Sequence, residues 1–141
     1  MLSNLPFYAI PVESVIADKL LDFATTTNKW QPYYNFHAAQ VPFDLAYSDP
    51  ILRSIGTKYP LAVGVIRLDP HTTYDWHTDT RRGVSINMLL NNAESNCLFS
   101  VSETEATHSF IELKYRLGSY YIFNNQVPHM VLNFNESRYL M

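Results

Sequence analysis

One cysteine, Cys97, is present in 141 residues. No internal disulfide can form, and the partners of a thiolate metal site are missing. Cys97 is expected to be a small buried apolar residue. Charged residues are only 16 % of the chain, the formal net charge is −3, and no Lys/Arg run occurs. Nucleic-acid binding therefore has little electrostatic support. No apolar run approaches the roughly 20 residues of a membrane span, and no signal-peptide pattern opens the chain. The expectation is a soluble, cytoplasmic protein with no membrane partner. Internal repeats and low-complexity segments are absent too. What the chain does have is an apolar fraction of 47 % and an aromatic fraction of 14 %, with ten Tyr and eight Phe. That is enough for one core, and it favours strands and a walled pocket over a helical bundle. Residues 1–141 are read as a single domain.

Residues 1–11 carry Pro6 and Pro11 and read as an edge strand or extended arm. A helix is predicted over 12–26, with Val12, Val15, Ile16, Leu20 and Phe23 on one stripe. Residues 29–47 read as irregular. Their aromatic run, Trp30 to His37, either lines a substrate entrance or packs a loop onto the core. His37 within it belongs to pocket or surface. Ser48-Asp49-Pro50 signals a second, short helix closed at Gly56. From residue 60 the hydrophobic period changes from about 3.6 to 2. Strands are predicted at 61–68, 72–77, 83–90, 97–101, 108–116, 119–123, 130–134 and 138–140. In the third, Val84, Ile86, Met88 and Leu90 share one face, and Ser85 and Asn87 the other. In the fifth, His108, Glu112, Lys114 and Arg116 oppose Ser109, Ile111, Leu113 and Tyr115. Eight short strands with regular turns and no intervening helices predict a mainly β, jelly-roll type of double sheet. The two helices of residues 1–59 would pack on the outside of one sheet, supporting the core of 60–141.

Three side chains point to metal chemistry. His77 and Asp79, two apart, can point inward from one strand end. His129, placed by Pro128 at the entry to a later strand, supplies a second imidazole. Two imidazoles and one carboxylate suit a divalent first-row metal and make the facial triad that holds non-haem Fe(II) with positions left open. A His-x-Asp pair alone arises readily by chance; His71 and His108 read as solvated. Arg138 adds the second signal. It lies nine residues after His129, room for a strand, a turn and entry into the next strand. That spacing puts it one strand over from His129 at pocket depth, where its guanidinium fork can clamp a carboxylate. Ser137 beside it can donate another hydrogen bond.

His77-x-Asp79, His129 and Arg138 resemble, in type, order and spacing, the signature of the Fe(II)- and 2-oxoglutarate-dependent oxygenases. Tyr74-x-x-His77-x-Asp79 is similar to the prolyl hydroxylase branch. The run from His77 to Asn87 is similar to the aspartyl/asparaginyl β-hydroxylase branch. Gly118 to Phe123, ahead of Pro128-His129, resembles the family's strand before its distal His. The resemblance covers about residues 60–141. It implies a double-stranded β-helix of cupin-like type, with Fe(II) on His77, Asp79 and His129. It further implies 2-oxoglutarate chelating that iron with its far carboxylate on Arg138, and side contacts from Asn87 and from Tyr74 or Tyr120. The implied activity is that of a dioxygenase using O₂ to hydroxylate a peptide side chain or small molecule, with succinate and CO₂ as co-products. Asp79 favours hydroxylation, since family members that halogenate lack the carboxylate. The chain runs only three residues past Arg138, so a short last strand is expected. Two rivals carry the same triad: a non-catalytic cupin-like module binding a metal or small acid, and a Zn²⁺ hydrolase or isomerase. Neither requires a buried cation nine residues after the last ligand. Arg67, Arg81, Arg82 and Tyr33-Tyr34 are candidates for an acidic or peptide substrate.

Overall fold

The chain begins its described course in an edge strand. A computed structural model describes residues 5–104 and 107–141; the predicted face of His108 lies outside the described side chains. Strand β1 (Phe7–Glu13) pairs antiparallel with β9 (Ser119–Asn124), and β9 pairs with β6 (Val84–Asn87). The β1 register shifts between Ala9 and Glu13, around Pro11, which has no N–H and is tolerated at a sheet edge. The predicted helix start at residue 12 is therefore wrong. Pairing with β9 holds Val12 and Glu13 extended, and α1 (Ala17–Thr26) starts after Ser14, whose Oγ accepts the Ile16 N–H at 3.1 Å. Val12 and Val15 are exposed, while Ile16, Leu20 and Ala24 form the buried stripe.

Residues 29–47 are ordered rather than irregular. β2 (Gln31–Tyr33) and β3 (Phe36–Gln40) form a hairpin turning at Tyr34, whose φ is +54°. Pro32 fits because β2 is the outer strand. One additional helical turn, α2 (Phe43–Ala46), precedes α3 (Pro50–Gly56), so three helices replace the expected two. Asp49 caps α3 as its sequence signalled, with Oδ1 accepting the N–H of Ile51 at 2.8 Å and of Leu52 at 3.3 Å. Asp49 Oδ2 accepts the Ser14 hydroxyl at 2.7 Å, which ties α3 to the start of α1. Burial acts against the ionised carboxyl, but hydrogen bonds from Tyr120, Ser14 and the two helix N–H groups more than offset it, so its pKa lies below the ordinary value.

The remaining strands are β4 (Gly64–Leu68), β5 (Thr73–His77), β7 (Ser95–Thr104), β8 (Thr107–Glu112), β10 (His129–Asn133) and β11 (Arg138–Leu140). They build two facing layers. One contains β1-β9-β6 and β11-β4-β3-β2, joined by a Leu89–Leu140 bridge and by reciprocal N–H···O bonds of 3.2 and 2.9 Å between Met88 and Met141. The other is β5-β10-β7-β8. From residue 64 onward there are eight strands among the described residues, and the architecture is the expected double-stranded β-helix.

The alternation in β6 has a clear consequence. Ile86 and Met88 pack with Ile16, Leu20, Leu52, Val65 and Tyr120 in the core between the helices and the larger sheet. Ser85 and Asn87 face the other way, into the space between the sheets. There a second apolar cluster of Cys97, Phe99, Leu113, Tyr121 and Phe123 closes one side of a cavity. β11 pairs with β4, Arg138 opposite Leu68, rather than lying beside β10 as spacing suggested. The connection after β10 crosses from one sheet to the other, so Arg138 reaches the shared interior from the opposite wall.

Candidate metal centre and cavity

β5 and β10 are antiparallel neighbours, and their register sets His77 directly opposite His129. The two rings stand edge to face with centroids 4.2 Å apart. Asp79 lies two residues beyond the end of β5. Its N–H donates to Asn125 O at 3.0 Å, and Gln126 Nε2 donates to Asp79 O and Arg82 O at 2.8 and 2.9 Å. These bonds pin the loop to the turn between β9 and β10 and turn the carboxylate back toward the histidines. One ligand atom from each of His77, Asp79 and His129 falls within 4.8 Å of the others.

Hydrogen bonding orients each ligand. His77 Nδ1 lies 2.5 Å from Asp75 O, and His129 Nδ1 lies 2.8 Å from Val127 O. A carbonyl can only accept, so each Nδ1 carries a proton; in the neutral ring this leaves the Nε2 lone pair for a metal, the outer-shell arrangement of metal-binding imidazoles. Asp79 Oδ2 accepts from Arg82 Nη2 at 3.0 Å, and Oδ1 stands 3.8 Å from His77 Nε2. Donors about 2.1 Å from a common ion sit about 3 Å apart in cis positions, so this pair closes by less than ~1 Å on binding. Burial lowers the His129 pKa, with a smaller contribution from His77 in the same direction, and this favours the neutral, ligating form. The donor set suits a divalent first-row ion, Fe(II) among them.

The cluster opens into a cavity of about 590 Å³ between the sheets. Arg138 lines it and is 5 % exposed. Its Nε donates to Ser95 Oγ at 3.1 Å, and its guanidinium carbon lies 5.5 Å from the Tyr115 ring centre. No carboxylate pairs with it among the described residues. Asn87 and Tyr74 also line the cavity, Tyr74 with its ring centroid 3.8 Å from that of His77. Burial raises the Tyr74 pKa, and nearby Asp79 adds to the effect. Tyr33, Tyr34 and Phe36 from the β2–β3 turn form an aromatic mouth with Tyr74, facing Arg81 and Arg82 across the opening. The run divides between the two alternatives: Tyr33, Tyr34 and Phe36 line the cavity, while Trp30 packs against the core.

Three of the sequence candidates fall elsewhere. Arg67 is off the cavity wall, its Nε donating to Asp69 Oδ1 at 2.9 Å and its guanidinium 5.0 Å from the Trp30 ring centre. Tyr120 is 0 % exposed on the helix side of β9, with its hydroxyl donating to Ser14 Oγ at 3.2 Å. It cannot touch a ligand in the cavity. Ser137 is not on the cavity wall; its carbonyl accepts from Asn91 Nδ2 at 2.8 Å. The residues that sequence reading missed are Tyr115, Ser85 and Asn125. The Tyr115 ring lies 5.5 Å from the Arg138 guanidinium carbon, and burial raises the phenol pKa. Cys97 is buried as expected but also meets the cavity, and burial pushes its thiol pKa up to about 11. Tyr115 was legible as the inward end of the alternating Ser109–Tyr115 face; Ser85 was on the polar face of its strand.

No family model matches the chain, and no curated protein matches it by sequence. Solved structures do match. A prolyl-4-hydroxylase from Pseudomonas putida superimposes with a TM-score of 0.70 at 15 % identity, over 99 % of this chain and 91 % of that one. A prolyl hydroxylase from Trichoplax adhaerens, solved with a hypoxia inducible factor oxygen degradation domain peptide, gives 0.71 at 14 % identity, over 99 % and 82 %. This is a 2-oxoglutarate/Fe(II) oxygenase-like fold. An oxidoreductase of the 2OG-Fe(II) oxygenase family from Burkholderia pseudomallei gives 0.66 at 10 % identity, over 99 % and 83 %. The oxygenase-like fold accounts for the cavity between the sheets and for the strands that deliver the His-Asp-His cluster. No helix among the described residues is long and apolar enough to cross a membrane.

Proposed function

We propose that residues 1–141 form one oxygenase domain, an Fe(II)- and 2-oxoglutarate-dependent dioxygenase that hydroxylates an unactivated C–H bond of a peptide side chain or small molecule. The observation that carries this reading is Arg138: a buried cation with no carboxylate partner among the described residues, in the same cavity as a His-Asp-His cluster. A buried unpaired guanidinium is costly, and an anionic ligand spanning the two features relieves that cost. A zinc hydrolase or a bare metal-binding module gives no reason for it.

When bound, Fe(II) would activate O₂, the oxidant, with 2-oxoglutarate as the two-electron reductant: one oxygen atom would end in succinate as CO₂ leaves, and the other would enter the substrate C–H bond. The chain's own residues do the rest. His77 and His129 would present Nε2 to the metal, because Nδ1 of each is committed to Asp75 O or Val127 O. Asp79 offers Oδ1 while Arg82 holds Oδ2, which favours one-oxygen ligation and keeps coordination positions free. In this reading Arg138, backed by Ser95 and Tyr115, takes the far carboxylate of the oxoacid in a bidentate fork. Asn87, within reach of the Tyr115 phenol, lines the same side. Tyr34, Phe36 and Tyr74 form the wall that would exclude water and orient the substrate; Arg81 and Arg82 favour one with acidic groups.

The deciding experiment is succinate release from 2-oxoglutarate by Fe(II)-loaded protein. Wild type is expected to turn over slowly alone and faster with its substrate, and Asp79→Ala to lose both turnover and tight metal binding. Protein that binds iron and 2-oxoglutarate but never releases succinate would instead be a cupin-like binding module.

A further inference from the structure

Asp79 stands beyond the end of β5, so something other than the sheet ladder must fix it. β5 ends at His77, and residues 78–83 form no helix or strand. Among the described residues, the hydrogen bonds that tie this loop to the rest of the chain converge on one short turn, 124–126. Asp79 N–H donates to Asn125 O and Asn125 N–H to Gly83 O, both at 3.0 Å. The Gln126 side chain adds two more, donating from Nε2 to Asp79 O at 2.8 Å and to Arg82 O at 2.9 Å. Both acceptors are carbonyls, so the orientation of that amide is settled: its two N–H bonds are spent on two oxygens that can only accept.

The two carbonyls have a particular place in the cluster. One belongs to Asp79 itself, and the other to Arg82, whose Nη2 holds Asp79 Oδ2 at 3.0 Å. One side chain therefore fixes the backbone of the carboxylate ligand and of the residue that orients its carboxylate. Gln126 is held in turn. Its N–H donates to Asn124 Oδ1 at 3.1 Å, while Asn124 Nδ2 donates to Leu5 O at 3.0 Å and Asn124 N–H to Pro6 O at 2.9 Å, at the lead into β1. A brace thus runs from the edge of the β1-β9-β6 sheet to the metal loop. Gln126 is exposed and belongs to neither apolar cluster, so it adds little to global stability. A hydrogen bond behind a metal ligand, by contrast, commonly changes metal affinity by about tenfold or more.

We propose that Gln126 is a positioning residue for the metal centre: it sets Asp79 in its ligating place without touching the ion. This rests on the metal reading above and is independent of the oxoacid. The test compares Gln126→Met, which keeps the length and removes both donors, with Gln126→Ala. Mn(II) affinity is read by electron paramagnetic resonance, and the stability of metal-free protein by thermal melts. Release of the loop is read by trypsin, whose sites after Arg81 and Arg82 are exposed. Both variants are expected to raise the Mn(II) Kd about tenfold and to keep the metal-free Tm within about 3 °C of wild type. Metal-free, both should be cut faster than wild type after Arg81 and Arg82. Wild-type protein that binds no Mn(II) overturns the metal reading and this inference with it. Wild-type binding with an unchanged Kd in either variant overturns this inference alone, as does cleavage no faster than wild type. A larger Tm loss in both variants also overturns it, because Gln126 would then be a general brace of the fold.

Discussion

Arg138→Met separates stability from ligand binding. The guanidinium is 5 % exposed and has no carboxylate partner among the described residues. Desolvating an ion costs several kcal/mol after relaxation. Against that stand one hydrogen bond to Ser95, worth ~1 kcal/mol, and the Tyr115 ring at 5.5 Å, worth ~1 kcal/mol. Methionine has similar length and no charge, and it would meet Leu68, Leu140, Cys97 and the Tyr115 ring on the same wall. The ligand-free protein should therefore be unchanged or up to ~2 kcal/mol more stable after substitution. At about 3 °C per kcal/mol for a chain of this size, Tm should rise by as much as about 6 °C. Ligand dependence should move the other way. At 2-oxoglutarate 100-fold above its Kd the wild type gains about 2.7 kcal/mol, or about 8 °C, and the variant little. Thermal melts followed by circular dichroism, with Mn(II) and with or without the oxoacid, read both effects. The reasoning fails if Arg138→Met melts more than ~6 °C below wild type without ligand. It also fails if the oxoacid stabilises both proteins equally.

Two further outcomes follow from the same geometry. Tyr115→Phe keeps the ring beside Arg138 but removes a phenol from the cavity wall; the 2-oxoglutarate Kd should rise about fivefold to tenfold, one hydrogen bond's worth, and equal affinity in a titration would place the ligand elsewhere. Asp49 has a pKa depressed by hydrogen bonds that outweigh its burial, so its contribution to stability is present above the unfolded value near 3.9 and is lost as pH falls through and below it. Urea midpoints compared at pH 6 and pH 3 should therefore fall less for Asp49→Asn than for wild type, and parallel losses would show that other carboxyls govern acid unfolding.

Part of the His-Asp-His cluster was legible because it is local. His77 and Asp79 are two residues apart, and Pro128 sets the entry of His129 into β10. Elsewhere non-local pairing decided against local pattern. Val12 and Val15 fit a helical stripe, yet the ladder between β1 and β9 keeps Val12 extended and both side chains exposed. Pro32 reads as a strand breaker, yet it sits in the outermost strand, where no ladder partner needs its missing N–H. Arg138 was correctly drawn to the cavity but on the wrong route. Sequence neighbours usually pair, whereas this fold passes from β10 in one sheet to β11 in the other.

The choice between Tyr74 and Tyr120 as a cavity residue shows what a single chain withholds. Alternation says that Tyr120 and Tyr121 face opposite sides of β9, but not which side holds the cavity. The register decides it. Asn87 pairs with Tyr121, and Ser85 with Phe123, and residues directly opposite one another share a face. Once Ser85 and Asn87 line the cavity, Tyr121 and Phe123 must point the same way, and Tyr120 must point at the helices. Continued past the strand end, the same parity brings Asn125 back to the cavity side, two residues beyond Phe123. In the sequence Asn124-Asn125 reads as turn punctuation, because asparagine is the ordinary residue of turns. The contact of Asn125 with Ser85 across 40 residues exists only after β6 has paired with β9, and no local pattern encodes that. The His77-Asp79 pair is a property of short spacing, whereas its meeting with His129 and the polar face of Ser85 and Asn87 are properties of register.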